Sequence, residues 1–304
     1  MKTIWMAGVC ALALTACSGA ETSAPTAETP PPEAAEPVVL TLADMAAGDW
    51  RTGDEKVRDT WRHPVATLEF FDIEASDTVI EIWPGGGWYS NIIAPYLATG
   101  DGKLIAAQWD PSIYKGERLA SIETRIADYM AVYAADVDLF GTVELSAFSR
   151  ETGALAEAGS VDAVLTFRNI HNWMGGDYTA KFFDDAFAAL KPGGTLGVVE
   201  HRLPSSAEQD PRGAQGYVHE DFVKALAIAS GFEFVAASEI NANPADTADH
   251  PFGVWTLPPV SRTADRDGNS APDFDPAIYT AIGESDRMTL KFIKPAAQPS
   301  EPVE

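Results

Sequence analysis

Between Thr78 and Ile293 the chain repeatedly exchanges a short β-branched run for an amphipathic one, and this alternation confines it to an α/β fold with a mostly parallel sheet. Strand-like runs occupy 78–83, 103–109, 161–168, 195–201, 233–240 and 287–293, with a weaker one at 141–148. Helix-like segments SNIIAPYLA, IETRIADYMAVYAA, AKFFDDAFAALKPGG and EDFVKALAIASGF lie between them. The third of these closes on Lys191, Pro192 and two glycines, which are stop signals. Seven strands are therefore predicted. In such sheets a ligand sits beyond the carboxyl ends of the strands, where strand order reverses. Those ends hold Glu81 to Gly87, Asp110, Arg168 to Trp173, Glu200 with His201, and Glu239 to Asn243.

Charge and cysteine content remove whole classes of function. Asp and Glu total 45 against 21 Lys and Arg, a formal charge of −24, which repels phosphate backbones, so nucleic acid is not an expected partner. The first residues, MKTIWMAGVCALALTACSG, combine a basic start, a short apolar run and small residues, the pattern of an export signal. Both cysteines, Cys10 and Cys17, lie within it. The predicted folded domain thus has no thiol for a disulfide, a nucleophile or a Cys-type zinc site. Segment 18–37, rich in Ala, Pro, Glu and Thr, reads as a disordered tether, and 296–304 as a disordered tail.

The stretch VIEIWPGGGWYSN, 79–91, ends a strand on an acidic residue and breaks into three glycines between bulky aromatics. Such a turn lets backbone amides approach a ligand. Together with Asp110 after the second strand, FRNIHNW after the fourth and LKPGGTLGVVEH, it resembles a class I S-adenosylmethionine-dependent methyltransferase. More narrowly, 61–295 resembles a group of bacterial predicted methyltransferases, exported or lipoprotein, that carry EIWPGGGWY.

The resemblance implies a Rossmann-like seven-stranded sheet with an antiparallel last strand, spanning 38–295 with an insertion or lid at 241–286. It implies S-adenosylmethionine as cofactor, held by Glu81, Gly85, Gly86, Gly87, Asp110 and Arg168, with Asp110 at the spacing of a ribose-binding carboxylate. Two features depart from the family pattern: Trp83 stands where glycine is common, and no acidic residue follows the third strand to meet adenine. The tetrad Leu14 to Cys17 resembles a lipoprotein signal, which implies removal of 1–16 and lipidation of Cys17. The domain would then be tethered in the bacterial cell envelope, at an outer membrane facing the periplasm.

Beyond the donor, His171 and Asn169 are the candidate catalytic residues, His171 as a proton acceptor or, equally, as a structural histidine. Asn172, Trp173, His201, Asn241 and Trp255 are candidates to bind a small-molecule acceptor. No histidine spacing marks a metal site, and the acidic run from Asp265 lacks the full calcium-loop pattern. Two rival readings stay open. One is an exported binding module that has repurposed the fold; the other is an NAD(P)-dependent oxidoreductase, for which Ser90 replaces the third glycine of the fingerprint.

Overall fold

A computed structural model describes residues 40–296, so the signal segment, Cys17 and most of the tail lie outside the described residues. In chain order the elements are α1 Leu42–Ala47, α2 Gly53–Lys56, α3 Asp59–Arg62, α4 Pro64–Phe70, β1 Thr78–Ile82, α5 Ser90–Ala98 and β2 Lys103–Trp109. Then come α6 Gly116–Ala134, α7 Val137–Phe140, β3 Val143–Phe148, β4 Val161–Phe167, α8 Ile170–Gly176, α9 Thr179–Ala189 and β5 Leu190–His201. The last are α10 Glu220–Ala229, β6 Glu233–Ser238, α11 Pro276–Ile282 and β7 Arg287–Ile293.

The seven strands form one sheet in the order β3-β2-β1-β4-β5-β7-β6. Strands β1 to β5 pair in parallel, while β7 runs antiparallel to both β5 and β6. The antiparallel last strand is thus present, and it separates this sheet from the all-parallel order of the dinucleotide fold. Strands β1 and β2 are buried over nearly their whole length, as expected where helices cover both faces. The apolar residues divide into two clusters, one led by Ile80, Ile82, Phe148, Trp173 and Phe182, the other by Leu68, Phe71, Val79, Ile92 and Leu165.

The strand order reverses between β1 and β4, and the loop after β1 opens there. Its two tryptophans join different clusters: Trp83 packs against the first and Trp88 lies in the second. That division explains the aromatic crowding of the loop, since each indole anchors one side of a turn whose glycines supply no packing of their own. The short helices α1 to α4 precede the first strand and were not evident from periodicity, being four to seven residues long. Thr41 and Thr52 each start one of them with a capping box. Phe71, at the end of α4, seats on Gly197 of β5, where a Cβ would lie 2.7 Å from its ring. The LKPGG segment belongs to β5 and not to the end of α9, because Leu190 already pairs with Val161.

Candidate active site

A cleft of about 570 Å³ runs over the carboxyl ends of β2, β1, β4 and β5 to the start of β7. This is a volume suited to a cofactor or drug-sized ligand. Its floor at β1 is Glu81, which is 2 % exposed and accepts a 2.6 Å hydrogen bond from Ser90 Oγ. Ser90 in turn accepts from the Tyr129 hydroxyl at 2.8 Å. The residue at the third fingerprint position is therefore engaged in a buried polar chain. Burial pushes the Glu81 carboxyl up to about 7, against the lowering effects of Ser90 and Arg168.

Gly85 and Gly86 line the cleft, and a Cβ added to either would meet no atom within 4 Å. Gly87 differs. At φ +86 its missing Cβ would lie 2.3 Å from the Tyr133 hydroxyl, so this glycine admits the tyrosine and does not line the cleft. Asp110 is also absent from the lining: its carboxylate caps the 3-10 turn Pro111–Ile113 by accepting from Ser112 N at 2.9 Å. In its place Trp109 and Trp83 face the cleft, with ring centroids 5.5 Å apart. Trp83, at a left-handed φ of +48, donates its indole N–H to Phe148 O at 2.9 Å. It fills the region between the ends of β1 and β3 where the adenine-facing acid is missing.

At the end of β4 the chain turns sharply through Arg168, at φ +64, into α8. Asn169 donates from its amide to Ile82 O at 2.9 Å, tying this turn to β1. Glu200, fully buried at the end of β5, organises the rest. It accepts from Ile170 N at 2.6 Å and His201 N at 2.8 Å, and lies 3.1 Å from His171 Nδ1. Because the backbone amides already satisfy a carboxylate that can only accept, His171 donates from Nδ1 and keeps the Nε2 lone pair. His171 lines the cleft with Asn172, His201 and Trp255. Burial, followed by the neighbouring His171, holds His201 well below the usual histidine range, so it is neutral.

Among the described residues His171, Glu200 and His201 are also placed closely enough to hold a metal ion. The donor chemistry argues for a Glu–His pair: both Glu200 oxygens are occupied by N–H donors, and Arg287, Arg168 and Arg62 all bear electrostatically on His201.

Two candidate acceptor residues are placed elsewhere. Trp173 is fully buried, edge-on to Phe148 and tilted against Phe182, because α8 turns its apolar side into the core. Asn241 is 2 % exposed and donates to Thr67 and Thr289, bracing α4 against β7. Within the 241–286 insertion, Val254, Trp255 and the stretch Leu257 to Val260 reach the cleft, with the Trp255 ring 6.0 Å from the His171 ring.

On the opposite wall the sequence points to Arg168 but not to Arg58 and Arg62. Arg58 and Arg62, from the α2–α3 region, converge there with Arg168 and Arg287. Glu284 receives Arg58 Nε at 2.6 Å, Arg62 Nε at 2.9 Å and Arg287 Nη2. Burial would push the Glu284 carboxyl up, but Arg287, Arg62 and Arg168 outweigh it and hold it at about 2. The guanidiniums of Arg62 and Arg168 are pushed below the usual arginine range by burial first and by their neighbours second, and both remain cationic.

No family model matches the chain, and no curated protein matches it at a significant level. Solved structures do. The 4+2 cyclase SpnF superposes with a TM-score of 0.50 at 13% identity, covering 84% of this chain and 92% of that one. A Galdieria sulphuraria protein assigned as a sarcosine dimethylglycine methyltransferase gives 0.50 at 12% identity, with 80% and 86% covered. A SAM-dependent methyltransferase from Aquifex aeolicus gives 0.45 at 16% identity, with 66% and 94% covered. At such identities the likeness is one of fold, and the fold is the Rossmann-like methyltransferase one. The presence of a cyclase among the neighbours means that the fold alone does not fix the reaction.

Proposed function

We propose that the chain is an S-adenosylmethionine-dependent methyltransferase acting on a small-molecule acceptor. The observation that carries this reading is the open loop at the β1–β4 reversal, where Gly85 and Gly86 face empty space beside the buried Glu81.

The residues fit such a donor with one substitution of means. Glu81 and the Gly85–Gly86 backbone would hold its aminoacyl end, and the faces of Trp109 and Trp83 would stack its adenine where Asp110 does not reach. When bound, the donor supplies an electrophilic methyl group on a sulfonium. The protein's own residues then place the acceptor and manage its proton. His171 Nε2 takes a proton from the attacking atom while Glu200 stabilises the resulting imidazolium through Nδ1. Asn169, fixed on β1, and Trp255 with Pro258 narrow the cleft and exclude water.

Incubating the full chain with a methyl-labelled donor and a pool of small molecules tests this reading. Label transferred to an acceptor, and lost in His171→Gln, supports it; absence of donor binding overturns it. Attachment to the envelope through Cys17 is part of the proposal, and Cys17→Ser is expected to release the protein from the membrane fraction.

A second reading, a binding protein that keeps the fold without transfer, draws on Trp83 and Asp110. The indole closes the β1–β3 gap and the carboxylate is committed to Ser112. It predicts no affinity for S-adenosylhomocysteine.

A further inference from the structure

The arginine wall needs a separate explanation. Three guanidiniums, from Arg58, Arg62 and Arg287, share the carboxylate of Glu284, and Arg168 adds a fourth positive charge beside them without bonding to it, in a chain whose formal charge is −24. Buried cations in proteins are paired one to one or nearly so, since an uncompensated buried charge is strongly destabilising. Here the pairing is incomplete. Arg287 is 2 % exposed, and its Nε has no hydrogen-bond partner; nor does the buried Nη2 of Arg58. Arg168 lines the cleft, and its guanidinium makes no hydrogen bond to any described residue. Its backbone is held at φ +64, a conformation a non-glycine residue adopts at a cost. Strain, repulsion and unmet donors thus coincide where His171 presents its free nitrogen to the same cleft.

We infer that this wall is a subsite for an oxyanion, a carboxylate or a phosphoryl group, carried by the molecule the cleft accepts, with Arg168 as its principal ligand. A planar guanidinium offers two parallel N–H donors to such a group, and Arg58 and Arg287 have further donors to give. Glu284 bonds three of the arginines but carries one charge, and Glu81, which also feels Arg168, is pushed by burial towards its neutral form, so an entering anion completes the pairing. The inference deepens the methyltransferase reading by naming the acceptor's class, and rests on that reading only for the word acceptor. Anion binding itself requires no donor.

The test uses the purified full chain and three probes: benzoate, inorganic phosphate, and neutral benzamide as a shape control. Calorimetry is expected to show binding of benzoate or phosphate, and which one binds separates a carboxylate from a phosphoryl ligand; benzamide is expected to be silent. Arg168→Gln should weaken the bound oxyanion about 10- to 100-fold, the loss expected for charge-assisted hydrogen bonds, and Arg168→Lys should restore part of it. Because burial and the neighbouring Arg287 and Arg58 disfavour the Arg168 charge and no hydrogen bond to a described residue holds it, Arg168→Gln should also raise the melting temperature, which a merely structural arginine would not do. Failure of both anions to bind, equal binding of benzamide, unchanged affinity in Arg168→Gln, or a lowered melting temperature would overturn the proposal. A parallel titration with S-adenosylhomocysteine keeps the two readings apart. Oxyanion binding without it leaves this subsite standing and removes methyl transfer, and the reverse removes the subsite alone.

Discussion

At the β2 side of the cleft Trp83 and Trp109 offer ring faces, while the nearby carboxylate of Asp110 is turned away to cap a turn. At the β7 side three arginines bond one glutamate and a fourth, Arg168, stands beside them. The aromatic end suits a flat ring and carries little electrostatic tension. The arginine end is held chiefly by Glu284, with Trp61 O accepting from Arg287 and Arg62 lying over the Trp88 ring, and it retains donors with nothing to bind. Stability and recognition are therefore distributed unequally along one groove, with His171 between the two ends.

Substitutions can break that contrast, and the largest effect is expected at its centre. His171→Gln should lower turnover by roughly 10²–10⁴-fold with donor affinity nearly intact, because glutamine hydrogen-bonds but does not accept the proton. A variant that keeps its rate and loses only thermal stability would make His171 a structural partner of Glu200. At the arginine end, Glu284→Gln leaves the guanidiniums uncompensated and should cost about 3–5 kcal/mol in denaturant unfolding. Since Glu284 titrates near 2 when folded, below its ordinary 4.5, its contribution is complete above that ordinary value. It is lost as pH falls towards 2, so the difference between wild type and variant should shrink in acid.

At the aromatic end, Trp109→Ala should weaken S-adenosylhomocysteine by about 1–3 kcal/mol, the usual size of aromatic–base stacking, with little change in oxyanion affinity. Asp110→Ala should leave that affinity nearly unchanged and cost only a cap, about 0.5–2 kcal/mol of stability. A larger loss of affinity in Asp110→Ala than in Trp109→Ala would restore the carboxylate as the ribose ligand. The most condition-dependent effect belongs to Glu81. Its folded carboxyl titrates near 7, above the ordinary 4.5, so its ionisation disfavours the fold as pH rises through that interval. Glu81→Gln should raise the melting temperature at pH 8 and leave it unchanged below pH 4.

The same contrast marks what could be read from the sequence. Strand ends carry their own signal, because β-branched runs bounded by glycine and charge fix both the sheet and the residues at its rim. Glu81, Gly85, Gly86, Arg168 and His171 were legible in this way, Trp255 was legible as part of a long insertion, and all line the cleft. Glu200 was visible as a strand end, but not as the carboxylate that orients His171. The rest of the arginine wall, Arg58 and Arg62, had no local signature. Arg58 and Arg62 lie 226 and 222 residues from Glu284, on helices too short for periodicity to show. Spacing also misjudged direction: Asp110 stands at the expected distance from the glycines but turns to Ser112, and Trp173 turns into the core with α8.

The central claim is that one groove has two ends with separate ligands, and a competition titration tests it most directly. S-adenosylhomocysteine is titrated into the full chain alone and again with the preferred oxyanion at saturation. The account predicts binding in both titrations with affinities within a few-fold of each other, and a ternary complex. Mutual exclusion would contradict it, showing that the arginines and the tryptophans serve a single ligand.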